Sequence, residues 1–107
     1  MNMSQKKKRI RDEFRNAVFS RDKYTCCMCG EGGVDPHHIV NRSLFPNGGY
    51  VFENGISLCS KCHERAEAWN GHIEDELFSP AKLYEKIGSS LTEALAADAR
   101  LEDYSEE

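Results

Sequence analysis

DPHHIVNRSLFPNGGYVFENGISLCSKCHERAE, residues 35–67, sets a His-His pair (His37, His38), an isolated asparagine (Asn54) and a third histidine (His63) in order along one run. His63 adjoins Cys62 of a Cys-x-x-Cys pair. Imidazoles and thiolates are the side chains that bind metals near neutral pH, so the stretch reads as a metal site grafted onto a zinc-stapled scaffold. Successive residues of a strand point to opposite faces, so His37 and His38 do not share a task. One is free to bind a metal while the other faces water. His63 and Glu67 stand at i and i+4, on one helix face, and both can turn toward that metal.

Upstream, Cys26 and Cys29 form a second Cys-x-x-Cys pair to match Cys59 and Cys62. Two such pairs in a chain with five cysteines suit a zinc site in a reducing compartment better than a disulfide framework. At 107 residues and 12.2 kDa the chain is at most one domain with a modest apolar core, and four thiolates on one zinc supply folding energy that such a core lacks. Cys27 is left over, either as a half-buried free thiol or as a replacement for Cys26 in the knuckle. Simple zinc ribbons separate their pairs by about 15–20 residues. Here 29 residues lie between Cys29 and Cys59, and that excess carries His37, His38 and Asn54. The zinc is a clasp at the base of a functional loop.

The periodicities give a strand over Val34–Val40 broken by Pro36, a loop over Ser43–Asn54 whose Asn47-Gly48 pair suits a hairpin, and a strand at Ile56–Leu58. A helix follows, N-capped by Ser60, carrying Cys62, His63, Ala66 and Trp69 and stopped by Gly71. Before this ββα unit, Ile10, Phe14, Ala17 and Val18 form an amphipathic stripe behind a frayed Lys6–Arg9 run. After it, Ser79-Pro80 opens a helix with Leu83, Tyr84 and Ile87 on its apolar face, ended by Gly88. Ser90–Glu93 has capping-box spacing and starts another, with Leu91, Ala94, Leu95 and Leu101 as its stripe. Residues 103–107 read as a disordered tail. The organisation is a basic helical arm (1–20), the ββα core (21–71) and an acidic helical segment (72–107) within one compact domain.

Charge is graded along the chain. The net value is −4, yet residues 1–24 hold eight Lys/Arg against three Asp/Glu, and residues 64–107 hold four against twelve. A basic arm beside an acidic tail is an asymmetry of nucleic-acid proteins, with Lys8, Arg11 and Arg15 as candidate phosphate contacts and a solvated helix as the competing reading. Arg42 and Arg65 are candidates nearer the histidines. No apolar run approaches the roughly 20 residues of a membrane span, and the first residues lack the apolar core of a signal peptide, so the expected place is the cytoplasm of a bacterial or phage-infected cell.

The order Cys-x-x-Cys, Asp-x-His-His-Ile, Asn, Cys-x-x-Cys-His, with nine residues from Asn54 to His63, resembles the HNH endonucleases of the ββα-metal (His-Me finger) fold, in the subgroup braced by a four-cysteine zinc. The resemblance spans Arg21 to Glu67. It implies a small α+β domain with a zinc-knuckle staple and flanking helices. By resemblance, His38 is the general base that takes a proton from the attacking water, and His37 and His63 ligate one divalent ion. Asn54 braces the loop, and cleavage leaves 5′-phosphate and 3′-hydroxyl ends. Where several relatives carry a histidine one turn after the last motif residue, this chain has Glu67. A carboxylate there favours Mg²⁺ or Mn²⁺ over Zn²⁺, Ni²⁺ or Co²⁺, if it ligates at all and is not a solvated helix residue. Asp35 has two readings, an orienting carboxylate or a turn residue before Pro36, and His72 reads as a loop histidine.

The expected activity is therefore metal-dependent cleavage of DNA, taken as a duplex with weak sequence preference. Two alternatives stand beside it. One is a zinc-stapled module that binds DNA or protein without cutting. The other is an accessory nuclease subunit of a larger phage or bacterial complex, docked on a partner or on itself through the C-terminal helices. His38 separates them, since a pure binder has no use for an uncommitted histidine beside a metal ligand.

Overall fold

Strands β1 (Val34–His38) and β2 (Gly55–Cys59) pair antiparallel, from Val34 opposite Cys59 to His38 opposite Gly55, in a computed structural model that describes residues 2–69 and 73–101. Helix α1 (Met3–Arg21) precedes them and α2 (Ser60–Ala68) follows β2 directly. A 3-10 turn (Ile73–Phe78), α3 (Pro80–Ile87) and α4 (Leu91–Asp98) complete the chain. The result is a small α+β fold, a ββα unit with flanking helices. Among the described residues no helix is long and apolar enough to cross a membrane.

Pro36 sits inside β1 instead of breaking it. Its partner is Ser57, whose N–H donates to Asp22 Oδ2 (2.8 Å) and whose carbonyl accepts from the Cys27 N–H (3.0 Å). Both backbone groups of Ser57 are thus used on the far side, and the missing proline N–H costs no ladder bond. The strand ends at His38, two residues before the sequence places its end. Ile39 and Val40 turn away because their N–H groups go to the Asn54 carbonyl (2.9 Å) and to Asn54 Oδ1 (3.1 Å).

The two faces of the hairpin are covered by different helices. α1 lays Ile10, Phe14 and Val18 inward, with Tyr50 and Leu101 against them, while Ala17 is exposed. Gly55 lets this helix approach: a Cβ there would stand 2.6 Å from Phe14 Cε1 and 2.6 Å from Val18 Cγ2. The other cluster gathers Ile56, Leu58, Cys62, Phe78, Leu83 and Ala94. At the end of α1 the Arg21 guanidinium bonds the Asp22 carboxylate (2.7 and 2.9 Å) and donates to the carbonyls of Phe52 and Gly55. This fastens α1 to β2.

Several local expectations shift. Lys6–Arg9 lie within α1, because Asn2 and Gln5 close a capping box that starts the helix ahead of the basic run. Cys59, not Ser60, caps α2, and the helix ends at Ala68 with Trp69 as its C-cap. Asn47-Gly48 closes no hairpin: the loop holding the 3-10 turns Arg42–Leu44 and Phe52–Asn54 is irregular, and its Asn47 and Gly49 N–H groups bond the fully buried Asp98 carboxylate (3.0 and 2.8 Å). α3 has the expected Ser79 cap and Gly88 stop, the latter at φ 72°. α4 buries Ala94, Ala97 and Asp98 and exposes Leu91 and Leu95, so its inward face is rotated from the expected leucine stripe. The expectations for Gly71, His72 and residues 103–107 fall outside the described residues.

Candidate active site

Two groups of side chains of the metal-binding types are gathered in the structure, and both draw on α2. The sulfur atoms of Cys26, Cys29, Cys59 and Cys62 lie within 4.8 Å of one another, with 3.5 Å between Cys29 and Cys59. Zn–S bonds of about 2.3 Å in a tetrahedron put sulfurs about 3.8 Å apart, so this donor set has the chemistry and spacing of a zinc site. None of the four is in a disulfide. Burial pushes the Cys26 thiol up, but hydrogen bonds from the backbone at Cys59, Met28 and Cys29 outweigh it and bring the pKa down to about 7. Cys27 stands outside the cluster, its thiol raised to about 11 by burial and by the Asp22 charge. Cys26 is therefore the knuckle residue.

The second group is His37, His63 and Glu67, whose donor atoms also fall within 4.8 Å of one another. The His37 and His63 rings are 5.0 Å apart at 72°, and His63 Nε2 is 3.3 Å from Glu67 Oε2. α2 supplies two of these donors one turn apart, and β1 supplies the third from its α2-facing side. His37 is buried; desolvation, then the positive charge His63 can carry, lowers its pKa to about 4 despite the opposing Glu67. A histidine lowered this far is neutral near pH 7, the form that can offer a nitrogen to a metal. Asp35 is exposed and belongs to neither group among the described residues.

His38 faces the other way. Its ring stacks on Phe14 (4.7 Å, 21°) and meets Tyr50 edge-on (4.8 Å, 89°), and its buried Nε2 has no hydrogen-bond partner among the described residues. Burial, Arg42 and His37, in that order, lower its pKa to about 4. Even so, being the last residue of β1, it reaches the same opening as its neighbour. His37, His38, Arg42, His63 and Glu67 all line one cleft of about 680 Å³. Arg42 donates to the Tyr50 hydroxyl and its guanidinium stands 5.4 Å from that ring.

Asn54 is fully buried, and each hydrogen-bonding position of its amide is used. Oδ1 accepts from the Val40 N–H (3.1 Å) and the Tyr84 hydroxyl (2.8 Å), while Nδ2 donates to the carbonyls of Val40 (3.2 Å) and Gly49 (3.3 Å). It therefore ties the turn after His38 to the far side of the loop. Arg65 is not brought to the cleft; its guanidinium covers the Phe78 ring at 4.3 Å. On α1, Lys8 pairs with Asp12 (2.7 Å), Arg15 lies over Phe19 (4.8 Å) and Arg11 is exposed, all away from the cleft lining.

Tyr50, Tyr84 and Asp98 were not singled out by sequence reasoning. A tyrosine on a buried helical face does carry a signal, because its hydroxyl needs a partner there. Nothing local marked Asp98.

Residues 26–68 match the family model described as HNH endonuclease. No curated protein and no solved structure matches the chain significantly. The matched span opens at the first sulfur of the four-cysteine cluster and closes with the last residue of α2, so the stretch that carries both donor groups is the stretch similar to an HNH endonuclease domain.

Proposed function

We propose that the chain is a metal-dependent endonuclease acting on duplex DNA, in which His38 accepts the proton of the attacking water and His37, His63 and Glu67 hold one divalent ion. The observation that carries this reading is the convergence of three donors and one uncommitted imidazole on a single cleft. The set suits the ion: two neutral nitrogens and a carboxylate leave coordination positions open on the cleft side, and the hard oxygen of Glu67 favours Mg²⁺ or Mn²⁺. Bound there, such an ion supplies positive charge for the scissile phosphate and the departing 3′ oxygen.

The protein groups perform the remaining tasks. Phe14 stacks on one face of the His38 ring and Tyr50 meets the ring edge-on, and these two contacts fix its direction. A pKa of about 4 keeps that ring neutral and ready to accept a proton, although it makes a weak base. Arg42 contributes to the lowering. A phosphate that engages Arg42 offsets this charge, so substrate binding strengthens the base at the moment it is needed.

One observation favours a binder that does not cut: a face of His38 is packed against Phe14 and its Nε2 is buried. Supercoiled plasmid decides between the two. Nicking or linearisation with Mg²⁺ or Mn²⁺, arrested by EDTA and lowered at least about 100-fold in His38→Ala of unchanged circular dichroism, supports the nuclease. Plasmid retarded in a gel yet uncut across both ions overturns it.

A further inference from the structure

We propose that Tyr84 is a positioning residue for strand cleavage: from α3, its hydroxyl fixes the Asn54 amide and through it the backbone that leaves His38. This rests on the nuclease reading above. Tyr84 lies beyond the matched stretch, which ends at residue 68.

The chain of contacts is short. His38 ends β1, and the next two residues are held by Asn54: the Ile39 N–H donates to its backbone carbonyl, the Val40 N–H donates to Oδ1, and the Val40 carbonyl accepts from Nδ2. An amide held this way has two rotamers that exchange its oxygen and nitrogen. Only one lets Oδ1 accept from Val40. With that bond made, the remaining lone pair of Oδ1 accepts from the Tyr84 hydroxyl at 2.8 Å, in a fully buried setting. Burial raises the phenol to about 12, so the proton it donates is present at every working pH.

The other side of the amide is equally confined. Nδ2 donates to the Gly49 carbonyl, and Gly49 is itself anchored through its N–H to Asp98 Oδ1 (2.8 Å) on α4. A Cβ at Gly49 would stand 3.0 Å from Asn54 Nδ2, which shows how closely the loop backbone approaches the amide. α3 and α4 thus grip both ends of the Asn54 bridge. The acidic C-terminal segment is part of the site's frame rather than a separate appendage.

Tyr84→Phe removes the hydroxyl and keeps the ring. Ser89→Ala serves as the control, since Ser89 Oγ also ties this segment to the loop, on the Glu53 carbonyl (2.8 Å), without touching the Asn54 amide. Plasmid nicking at saturating Mg²⁺ and amide hydrogen exchange are measured on both full-length variants well below their melting points. The expected result for Tyr84→Phe is a kcat about tenfold lower with KM changed less than twofold, and Val40 amide exchange about tenfold faster; Ser89→Ala leaves both near the parent. An unchanged kcat or Val40 exchange in Tyr84→Phe, or an equal fall in Ser89→Ala, overturns the proposal. If the parent itself cuts nothing, the nuclease reading fails separately, and Val40 exchange still passes or fails the Tyr84–Asn54 linkage.

Discussion

The four-cysteine cluster and the His37–His63–Glu67 group are built from neighbouring residues of the same elements, yet they differ in closure. Cys26, Cys59 and Cys62 are buried and Cys29 is exposed, but four thiolates would fill all four positions of a tetrahedral ion and leave none for a substrate. In the other group burial falls from His37 through the half-buried His63 to the exposed Glu67, and the donors border an open cleft. A closed set can shape a chain, while an unfinished one can take part in chemistry. Cys62 and His63 are adjacent on α2, so a single peptide bond separates the two groups.

That adjacency gives the test with the largest effect. Structural zinc contributes on the order of 10 kcal/mol or more of folding energy, comparable to the whole stability of a small domain. Cys62→Ser should therefore abolish the cooperative melting transition and lower the zinc content. His63→Ala, one residue away, should keep both the transition and one zinc per chain while losing cleavage. Loss of zinc or of folding in His63→Ala would mean that the two groups are not separate sites.

A smaller effect comes from the face that neither cluster touches. Gly55→Ala forces a methyl against Phe14 and Val18, in a core where overpacking costs about 1–3 kcal/mol. For a domain of this size that is a drop of about 5–20 °C in melting temperature. Since Phe14 also clamps His38, cleavage should fall further than in a surface variant of equal stability, with zinc content unchanged. A variant that melts like the parent would show that α1 yields without strain.

The sequence was most legible where ligand identity and short spacing carry the information. Both Cys-x-x-Cys pairs, the opposed His37 and His38, and the i, i+4 pair His63 and Glu67 could all be seen without a fold, because each is a relation within a few residues. The Asn2–Gln5 capping box was equally local and was passed over in favour of a frayed basic run. What was not visible depends on distant partners. The loop before Asn54 has turn residues that suit a hairpin, but its geometry is set by Asp98, some 50 residues on, and by Tyr84. Stripe reasoning also sends an aspartate outward, whereas Asp98 is buried because two backbone N–H groups await its carboxylate. Leu91 and Leu95, which the stripe places inward, stand exposed.

A last test separates the histidines from the cysteines by pH. His37 and His38 are both lowered from about 6.5 to about 4, chiefly by burial. The unfolded chain therefore binds more protons than the folded one between those values, and stability, full above pH 6.5, declines as pH falls toward 4. The slope is at most about 1.4 kcal/mol per pH unit for each proton, and less for the partly exposed His38. Denaturant melts without added Mg²⁺ or Mn²⁺ should show this decline, and His38→Gln should make it shallower. Zinc release monitored in the same samples should follow unfolding rather than precede it. If zinc leaves first, thiolate protonation and not imidazole burial sets the acid limit, and the closed cluster is then the more fragile of the two.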